Sequence, residues 1–342
     1  MLFGCVASVG TRIRRNSNAP AVSFFGLHTI VTHVSKPQLG RFVRPVIKRA
    51  INPFTLATAA RLQWQRQPSK NRLDDAQLEL YSKVLPGEFL HYGYFDDVDR
   101  QPGDISLNEI VEAQKRYTEL LVNLANPDKS RPVLDVGCGV GGMIRLLHDR
   151  GFSPVALSPA RGQVAHVESK FPGTPTVCSK FEDLEIEAHR QKYATVFTSE
   201  SLQYLRLPRA LPVMREILMP GGTWAACDFF NRTPGHPSRR LPAWPDFCQL
   251  MKEQGWTITY QQDITSNIIP TLRYIYMWAT RLGPPVIQYM QLKLQRKHPG
   301  LHHLLAGVGP VIDQTVDENL QNICPTHFRE NKQYMLFTLQ RA

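Results

Sequence analysis

The stretch "RPVLDVGCGVGG", Arg131 to Gly142, joins an apolar run to a loop that contains four glycines. The apolar run has the length and composition of a buried strand. Glycines let the backbone approach a ligand closely, and the N-terminus of a following helix offers unpaired N–H groups to an anion. The stretch therefore predicts a site for a nucleotide-like ligand at the end of a strand.

The spacing of the glycines fits two kinds of ligand. Gly137, Gly139 and Gly142 satisfy the G-x-G-x-x-G pattern of dinucleotide sites. Asp135, followed by Gly137, Gly139 and Gly141, satisfies the [DE]-x-G-x-G-x-G pattern of S-adenosylmethionine sites. A dinucleotide presents a pyrophosphate, whereas S-adenosylmethionine presents a carboxylate beside an ammonium. A buried carboxylate at Asp135 can balance that ammonium, so it favours S-adenosylmethionine.

The next strand, in "PVALSPARGQ", supports neither ligand fully. Both ligands predict an acidic residue about 20 positions after the glycine loop, where it would bind the ribose hydroxyls. Ala156 stands at that position. Ser158 and Gln163 can form hydrogen bonds to a diol, although a neutral group binds it less strongly than a charged one.

From Arg131 onward, strand patterns alternate with helix patterns, which is typical of a parallel sheet with helices on both faces. We therefore expect an α/β fold with a doubly wound, mainly parallel, seven-stranded sheet, an N-terminal helical cap and a helical insertion before the last strand. The expected segments are a basic N-terminal segment at 1–73, the cap at 74–130, the core at 131–263, a lid insertion at 264–330 and the last core strand at 331–342.

The formal net charge of +11 is concentrated at the N-terminus. Residues 1–73 contain 12 Lys or Arg and no Asp or Glu, whereas the remainder has 28 basic and 29 acidic residues. The body of the protein is therefore close to neutral, and nucleic acid is an unlikely partner for it. The basic segment has the composition of an organellar transit peptide, of a membrane-associated helix at residues 41–62, or of a plain tail.

The cysteines give no sign of a disulfide framework or a metal site. All six are scattered, without a C-x-x-C pair or a Cys/His spacing that suits zinc. His302 and His303 are adjacent, so we interpret them as surface residues. We therefore expect a reducing, intracellular location. The expected places are a mitochondrion, another organelle or a membrane surface. No run of 18 apolar residues predicts a spanning helix.

Five segments carry a resemblance to a known family. "LDVGCGVGG", "ALSPARGQ", "FEDLE", "TSESLQYL" and "LMPGGTWAACDFF" occur in this order. Over about residues 85–263 the chain resembles the class I S-adenosylmethionine-dependent methyltransferases, and within them the tocopherol, sterol and cyclopropane-fatty-acid group. That group often lacks the acid at the position of Ala156. "FLHYGYFDD" is similar to the loop that precedes the core in tocopherol-type enzymes. Gln203 and Tyr204 depart from that group, which has an acid and a His there.

The resemblance implies S-adenosylmethionine as the cofactor and assigns candidate roles. Backbone N–H groups of the glycine loop would hold the methionine carboxylate, and Glu182 or Asp183 would meet the adenine; alternatively "FEDLE" is a solvated turn. Tyr92 and Tyr94 would cap the methyl group through their ring faces, or simply pack in a helical lid. The full set of cofactor candidates is Tyr92, Tyr94, Asp135, Gly137, Gly139, Gly141, Ser158, Gln163, Glu182, Asp183 and Ser199.

The catalytic candidates are His91 and Glu200. His91 would take a proton from an acceptor hydroxyl, or else be a hydrogen-bonded structural residue. Glu200 would bind a polar group of the acceptor or the cofactor amine, or else cap a helix. Gln203 and Tyr204 follow Glu200 along the chain and would contact the acceptor.

The expected activity is methyl transfer to a hydrophobic small molecule such as a lipid, a prenyl-quinone or an aromatic compound. An apolar stripe in the insertion, at Leu272, Tyr276 and Ala279, would wall the acceptor pocket or else belong to the core. Ala156 and Ala194 favour an alternative, a binding protein with this fold but no activity. A nucleic-acid methyltransferase that uses the basic N-terminus is a further alternative, and a dehydrogenase fits poorly. The sequence leaves the oligomeric state open.

Overall fold

The computed structural model describes residues 87–235, 241–297 and 309–341, with side chains from residue 316 onward in the last range. Three regions on which the sequence made predictions lie outside the described residues: the basic segment 1–73, the first helix of the cap at 74–86, and the pair His302 and His303. None of the helices in the described ranges is long and apolar enough to cross a membrane.

Seven strands form one sheet in the order β3-β2-β1-β4-β5-β7-β6. Strands β1 to β5 pair in parallel, and β7 lies antiparallel between β5 and β6. The predicted doubly wound, mainly parallel sheet is confirmed. The strands are β1 Pro132–Val136, β2 Ser153–Leu157, β3 Thr176–Val177, β4 Tyr193–Ser199, β5 Leu218–Asn231, β6 Trp256–Asp263 and β7 Lys332–Arg341.

Helices connect the strands and precede the sheet. In the described residues they are α1 Leu107–Ala125, α2 Gly142–Asp149, α3 Arg161–Lys170, α4 Ile186–His189, α5 Leu207–Ile217, α6 Trp244–Glu253, α7 Thr265–Lys297, α8 Gly309–Ile323 and α9 Pro325–Asn331.

The two faces of the sheet bury separate apolar clusters. Leu134 and Val136 of β1 belong to one cluster with side chains of α5 and α6, and Val133 belongs to the other with side chains of α1 and α7. This follows from the alternation of side chains along a strand. Asp135 lies between Leu134 and Val136, and it is buried as deeply as its apolar neighbours. A buried acid in such a strand is unusual and marks the site described below.

Local structure sets the boundaries of strand β3 and helix α7. The stretch TPTVCSKF contains only the short edge strand Thr176–Val177, and Phe181 already begins a 3-10 turn. The insertion helix α7 begins at Thr265. The carboxylate of Asp263 accepts a hydrogen bond of 2.8 Å from the Thr265 N–H, as an N-terminal capping group does.

Helix α1 begins at Leu107, and Ser106 caps it. The Ser106 hydroxyl accepts a hydrogen bond from the Glu109 N–H at 3.2 Å, and the Glu109 carboxylate accepts one from the Ser106 N–H at 2.8 Å. This reciprocal pair satisfies two of the N–H groups that a helix start leaves unpaired. The helix then packs against β5 and α2.

The order of the strands places the glycine loop at a switch point. Strand β1 has β2 on one side and β4 on the other, so the chain leaves β1 in two directions. In open α/β sheets ligands bind at the carboxyl ends of the strands where the strand order reverses in this way. The loops after β1, β2 and β4 all lie at this edge.

Candidate active site

The glycine loop between β1 and α2 has the geometry that its sequence predicts. Gly137, Gly139 and Gly141 have φ values of +86°, +53° and +93°. Other residues adopt this left-handed region only at a steric cost. At Gly137 a Cβ atom would also lie 2.6 Å from the Cβ of Ser201, which follows β4. The loop therefore turns sharply against the end of β4, and α2 begins directly behind it.

Asp135 is buried directly before this loop, with a relative exposure of 2%. In the sheet it lies between Ala156 of β2 and Phe197 of β4. Its Oδ2 atom has no hydrogen-bond partner among the described residues. Burial raises the pKa of Asp135 to about 7. A carboxylate without a donor is costly to bury, so this group fits a ligand that brings a cation, as the ammonium of S-adenosylmethionine does.

Ser158 and Gln163 meet after β2, at the start of α3. The Ser158 hydroxyl donates a hydrogen bond of 2.7 Å to the side-chain oxygen of Gln163 and accepts one of 3.1 Å from the Ala160 N–H. Their predicted contacts to ribose hydroxyls stay a prediction. The amide nitrogen of Gln163 has no partner in the described part of the chain, so it can donate to a diol from this position.

Glu182 and Asp183 lie in a 3-10 turn, and their carboxylates contact α5. Glu182 accepts a hydrogen bond of 2.6 Å from the Arg206 N–H, and Asp183 accepts one of 2.7 Å from the guanidinium of Arg209. These contacts agree with the interpretation of "FEDLE" as a turn. A contact of this turn with adenine stays a prediction.

A loop at residues 87–95, here called the aromatic loop, closes over the same edge of the sheet. The Tyr94 N–H donates to Ala113 O of α1 at 2.9 Å, and the Gly93 N–H donates to the Thr271 hydroxyl of α7 at 3.1 Å. Leu90 of this loop lies over the glycine loop, where its Cδ1 atom is 3.3 Å from the position of a Cβ at Gly139. The loop therefore joins α1, α7 and the glycine loop.

His91 uses both ring nitrogens within the protein. Its Nδ1 atom donates to Tyr92 O at 2.9 Å, and its Nε2 atom lies 2.9 Å from the Thr118 hydroxyl. The ring packs against Tyr117, with centroids 4.1 Å apart. Burial lowers the pKa of His91 to about 4, so the ring is neutral at pH 7 and a weak base. This geometry favours the structural interpretation, and the base role stays a prediction.

The two tyrosines of the aromatic loop differ in environment. Tyr92 is buried, and its ring packs edge-on against Tyr334 and Phe328 with centroids 5.9 and 6.1 Å apart. Tyr94 is half-buried at the margin of the same cluster. Both lie at the ligand edge of the sheet, and their contact with a methyl group stays a prediction.

Glu200 occupies the centre of the polar part of the site. It follows β4 with a left-handed φ of +50°, which is uncommon for a glutamate and typical of functional positions. Its Oε1 atom accepts hydrogen bonds from the Tyr92 N–H at 3.0 Å and from the Tyr334 hydroxyl. Burial raises the pKa of Glu200 well above its usual range, and the two hydrogen bonds oppose that shift. Its second oxygen has no protein partner among the described residues and can meet a ligand.

Residues beside Glu200 complete the site at the carboxyl end of β4. The Ser199 hydroxyl lies 3.1 Å from the Tyr117 hydroxyl, and the Gln203 N–H donates to Asp228 Oδ2 at 3.0 Å. Gln203 is buried, whereas Tyr204 is 53% exposed. The structure therefore brings Ser199 and Gln203 close to Glu200, and their ligand roles stay predictions.

Three site residues escaped the sequence analysis: Tyr117, Asp228 and Tyr334. All three are fully or almost fully buried around Glu200. The only signal for Asp228 is an acid inside the apolar strand "TWAACDFF", and Tyr334 and Tyr117 look like ordinary core aromatics in the sequence. Within residues 87–235, 241–297 and 309–341, no group of three or more His, Cys, Asp or Glu is placed to hold a metal ion.

Comparisons with known proteins concern the family and the fold of this chain. Residues 110–257 match the Methyltransf_23 family, described as a methyltransferase domain. An S-adenosyl-L-methionine-dependent Diels-Alderase of Talaromyces variabilis is 24% identical over 224 residues, which cover 57% of this chain and 75% of that protein. An O-methyltransferase of Pyrenophora dematioidea is 22% identical over 214 residues, which cover 57% of this chain and 78% of that protein.

A solved structure of mycolic acid cyclopropane synthase, complexed with SAH and CTAB, has the same fold. It superposes with a TM-score of 0.56 at 17% identity and covers 78% of this chain and 95% of the other. The predicted resemblance to methyltransferases is thus confirmed for residues 110–257, and the solved structure shares the fold.

Proposed function

We propose that this chain, whose residues 110–257 belong to the S-adenosylmethionine-dependent methyltransferase family, transfers a methyl group to a hydrophobic small molecule. The observation that supports this proposal best is the unpartnered buried carboxylate of Asp135 beside three left-handed glycines. S-adenosylmethionine supplies a methyl group that its own sulfonium already activates.

The proposal gives each part of the site a task in binding this cofactor. The N–H groups of Gly137 and Cys138 already donate to Leu157 O at 2.8 and 3.2 Å. The N–H of Gly139 would therefore hold the methionine carboxylate, and Asp135 would balance the ammonium. At the end of β2, Ser158 and Gln163 would bind the ribose hydroxyls. Because methyl transfer is an in-line displacement, the main contribution of the protein is to hold donor and acceptor in position.

Glu200 and the buried tyrosines around it, Tyr92, Tyr117 and Tyr334, form the Glu200 cluster, which is the candidate acceptor side of the site. Its free oxygen can bind a polar group of an acceptor, while Tyr92 and Tyr334 fix the carboxyl group through Oε1. The rings of Tyr92, Tyr117, Tyr334 and Phe328 make the surroundings of this group apolar. Leu272 of α7 is fully buried in the same cluster, and Tyr276 packs against it. A polar anchor in apolar walls suits a hydrophobic acceptor with one polar function.

Two experiments test the proposal. Calorimetry with S-adenosylmethionine should show binding that Asp135→Asn weakens. Mass spectrometry of whole-cell lipid and quinone extracts, with and without the gene, should show a compound that differs by one methylene unit. If the protein binds no cofactor, or if the extracts match, the proposal is wrong.

A second candidate function is a cyclisation that uses the bound cofactor without consuming it. One observation favours it, the similarity to an S-adenosyl-L-methionine-dependent Diels-Alderase. Incubation of methyl-labelled cofactor with extract from cells that lack the gene separates the two. A methyltransferase moves the label to an acceptor, whereas a cyclase leaves it on the cofactor.

A further inference from the structure

From Trp278 to its end, helix α7 exposes a row of large apolar side chains. Six of the nine exposed large apolar side chains in the described residues lie there, with exposures of 61% for Tyr289, 57% for Leu292 and 51% for Leu282. We call this set the α7 stripe. Its members are Trp278, Leu282, Val286, Tyr289, Met290 and Leu292.

The stripe lies on one side of the helix. Trp278, Leu282, Val286 and Tyr289 follow one another at intervals of four, four and three residues, which places them on a common face. The first half of α7 is different, since Ile268 and Leu272 are fully buried against the sheet. An apolar row of this size on a surface usually marks an interaction site.

The charge of α7 indicates which partner this face fits. The helix contains five cationic residues and no acidic one, and three of the five lie in its last turn and a half. The ammonium of Lys293 lies 5.5 Å from the ring centroid of Tyr289, so positive charge stands directly beside the stripe. The cations are Arg273, Arg281, Lys293, Arg296 and Lys297.

We propose that α7, from Trp278 to its end, lies on the surface of an anionic lipid bilayer. The apolar stripe would enter the headgroup boundary, where the rings of Trp278 and Tyr289 are favourable. Lys293, Arg296 and Lys297 would contact the anionic headgroups. A second copy of the chain fits less well, because α7 offers no acidic residue to those cations. Asp317 and Glu318 belong to helix α8, which contacts α7.

Co-sedimentation of the full chain with vesicles tests this proposal and needs no methyltransferase activity. We expect binding to vesicles of phosphatidylglycerol and phosphatidylcholine in equal parts, and much weaker binding to phosphatidylcholine alone. Lys293→Gln with Arg296→Gln and Lys297→Gln should lower the partition coefficient about a hundredfold. Leu282→Gln with Tyr289→Gln should lower it about tenfold. The N-terminal basic segment is the same in every variant, so the differences report on α7.

Two controls make the result specific. Leu107→Gln with Tyr260→Gln removes exposed apolar side chains from α1 and β6, and it should leave binding unchanged. Brominated lipids should quench Trp278 fluorescence, and Trp278→Phe should abolish most of the quenching. The other tryptophans with described side chains are buried: Trp224, Trp244 and Trp256.

Three outcomes would overturn the proposal. The α7 variants could bind anionic vesicles as tightly as the wild type, or the wild type could bind both vesicle types equally. Light scattering could also show a dimer that the Leu282 and Tyr289 substitutions dissociate, which would identify the occupant as a second copy. A failure here leaves the proposed methyl transfer intact, since calorimetry measures cofactor binding separately.

Discussion

At the scale of single residues, the protonation of Asp135 couples the stability of the fold to cofactor binding. The folded protein holds a proton on this group up to about pH 7, whereas the unfolded chain releases it near the ordinary value of 3.8. Between these values the unfolded state binds fewer protons, so Asp135 makes the free energy of unfolding fall as pH rises. A bound ammonium would favour the carboxylate and reverse this effect.

We expect Asp135→Asn to remove this pH dependence and to weaken cofactor binding. Asn has nearly the shape of Asp but cannot ionise. The difference in unfolding free energy between variant and wild type should grow by a few kcal/mol in favour of the variant from about pH 4 to pH 7. Urea unfolding at several pH values measures it. A difference that stays constant with pH would show that Asp135 does not titrate in this range.

At the scale of elements, the glycine loop depends on its contact with the end of β4. Gly137→Ala places a Cβ 2.6 Å from Ser201 Cβ in a left-handed backbone, whereas Gly151→Ala adds one at φ +75° with nothing within 4 Å. The control variant should lose about 1 kcal/mol of stability from backbone strain alone. Gly137→Ala should lose about 1–3 kcal/mol more, together with cofactor affinity. Equal losses in the two variants, measured by urea unfolding and calorimetry, would contradict this account.

The sequence predicts elements with local signals well. The pattern in Arg131–Gly142 is local, and it gives the observed strand, glycine loop and helix start. The Glu200 cluster is different, because β7 returns antiparallel beside β5 and brings Tyr334 to a residue 134 positions earlier. No local pattern encodes such a contact, so the sequence predicts Glu200 as a site residue but not its hydrogen bond with Tyr334.

At the scale of the whole molecule, the aromatic loop connects parts that are far apart in sequence. Gly93 and Thr271 are 178 residues apart, and the Thr271 hydroxyl both accepts from the Gly93 N–H at 3.1 Å and lies 3.3 Å from the Gly93 carbonyl oxygen. Glu200 holds the same loop through the Tyr92 N–H. The insertion helix α7 and the end of β4 therefore fix the loop that covers the glycine loop.

Thr271→Val should release this loop while leaving the sheet intact. Valine has the shape of threonine without the hydroxyl, so the buried Gly93 N–H loses its acceptor at a cost of about 1–3 kcal/mol. We expect faster hydrogen exchange in a peptide that covers residues 87–95, unchanged exchange in β4 and β5, and weaker cofactor binding. Thr280→Val on the same helix is the matched control, since the Thr280 hydroxyl bonds only to carbonyls of its own helix. If both variants exchange alike in the aromatic loop, Thr271 does not hold it, and the closure of the site depends on Glu200 and α1 instead.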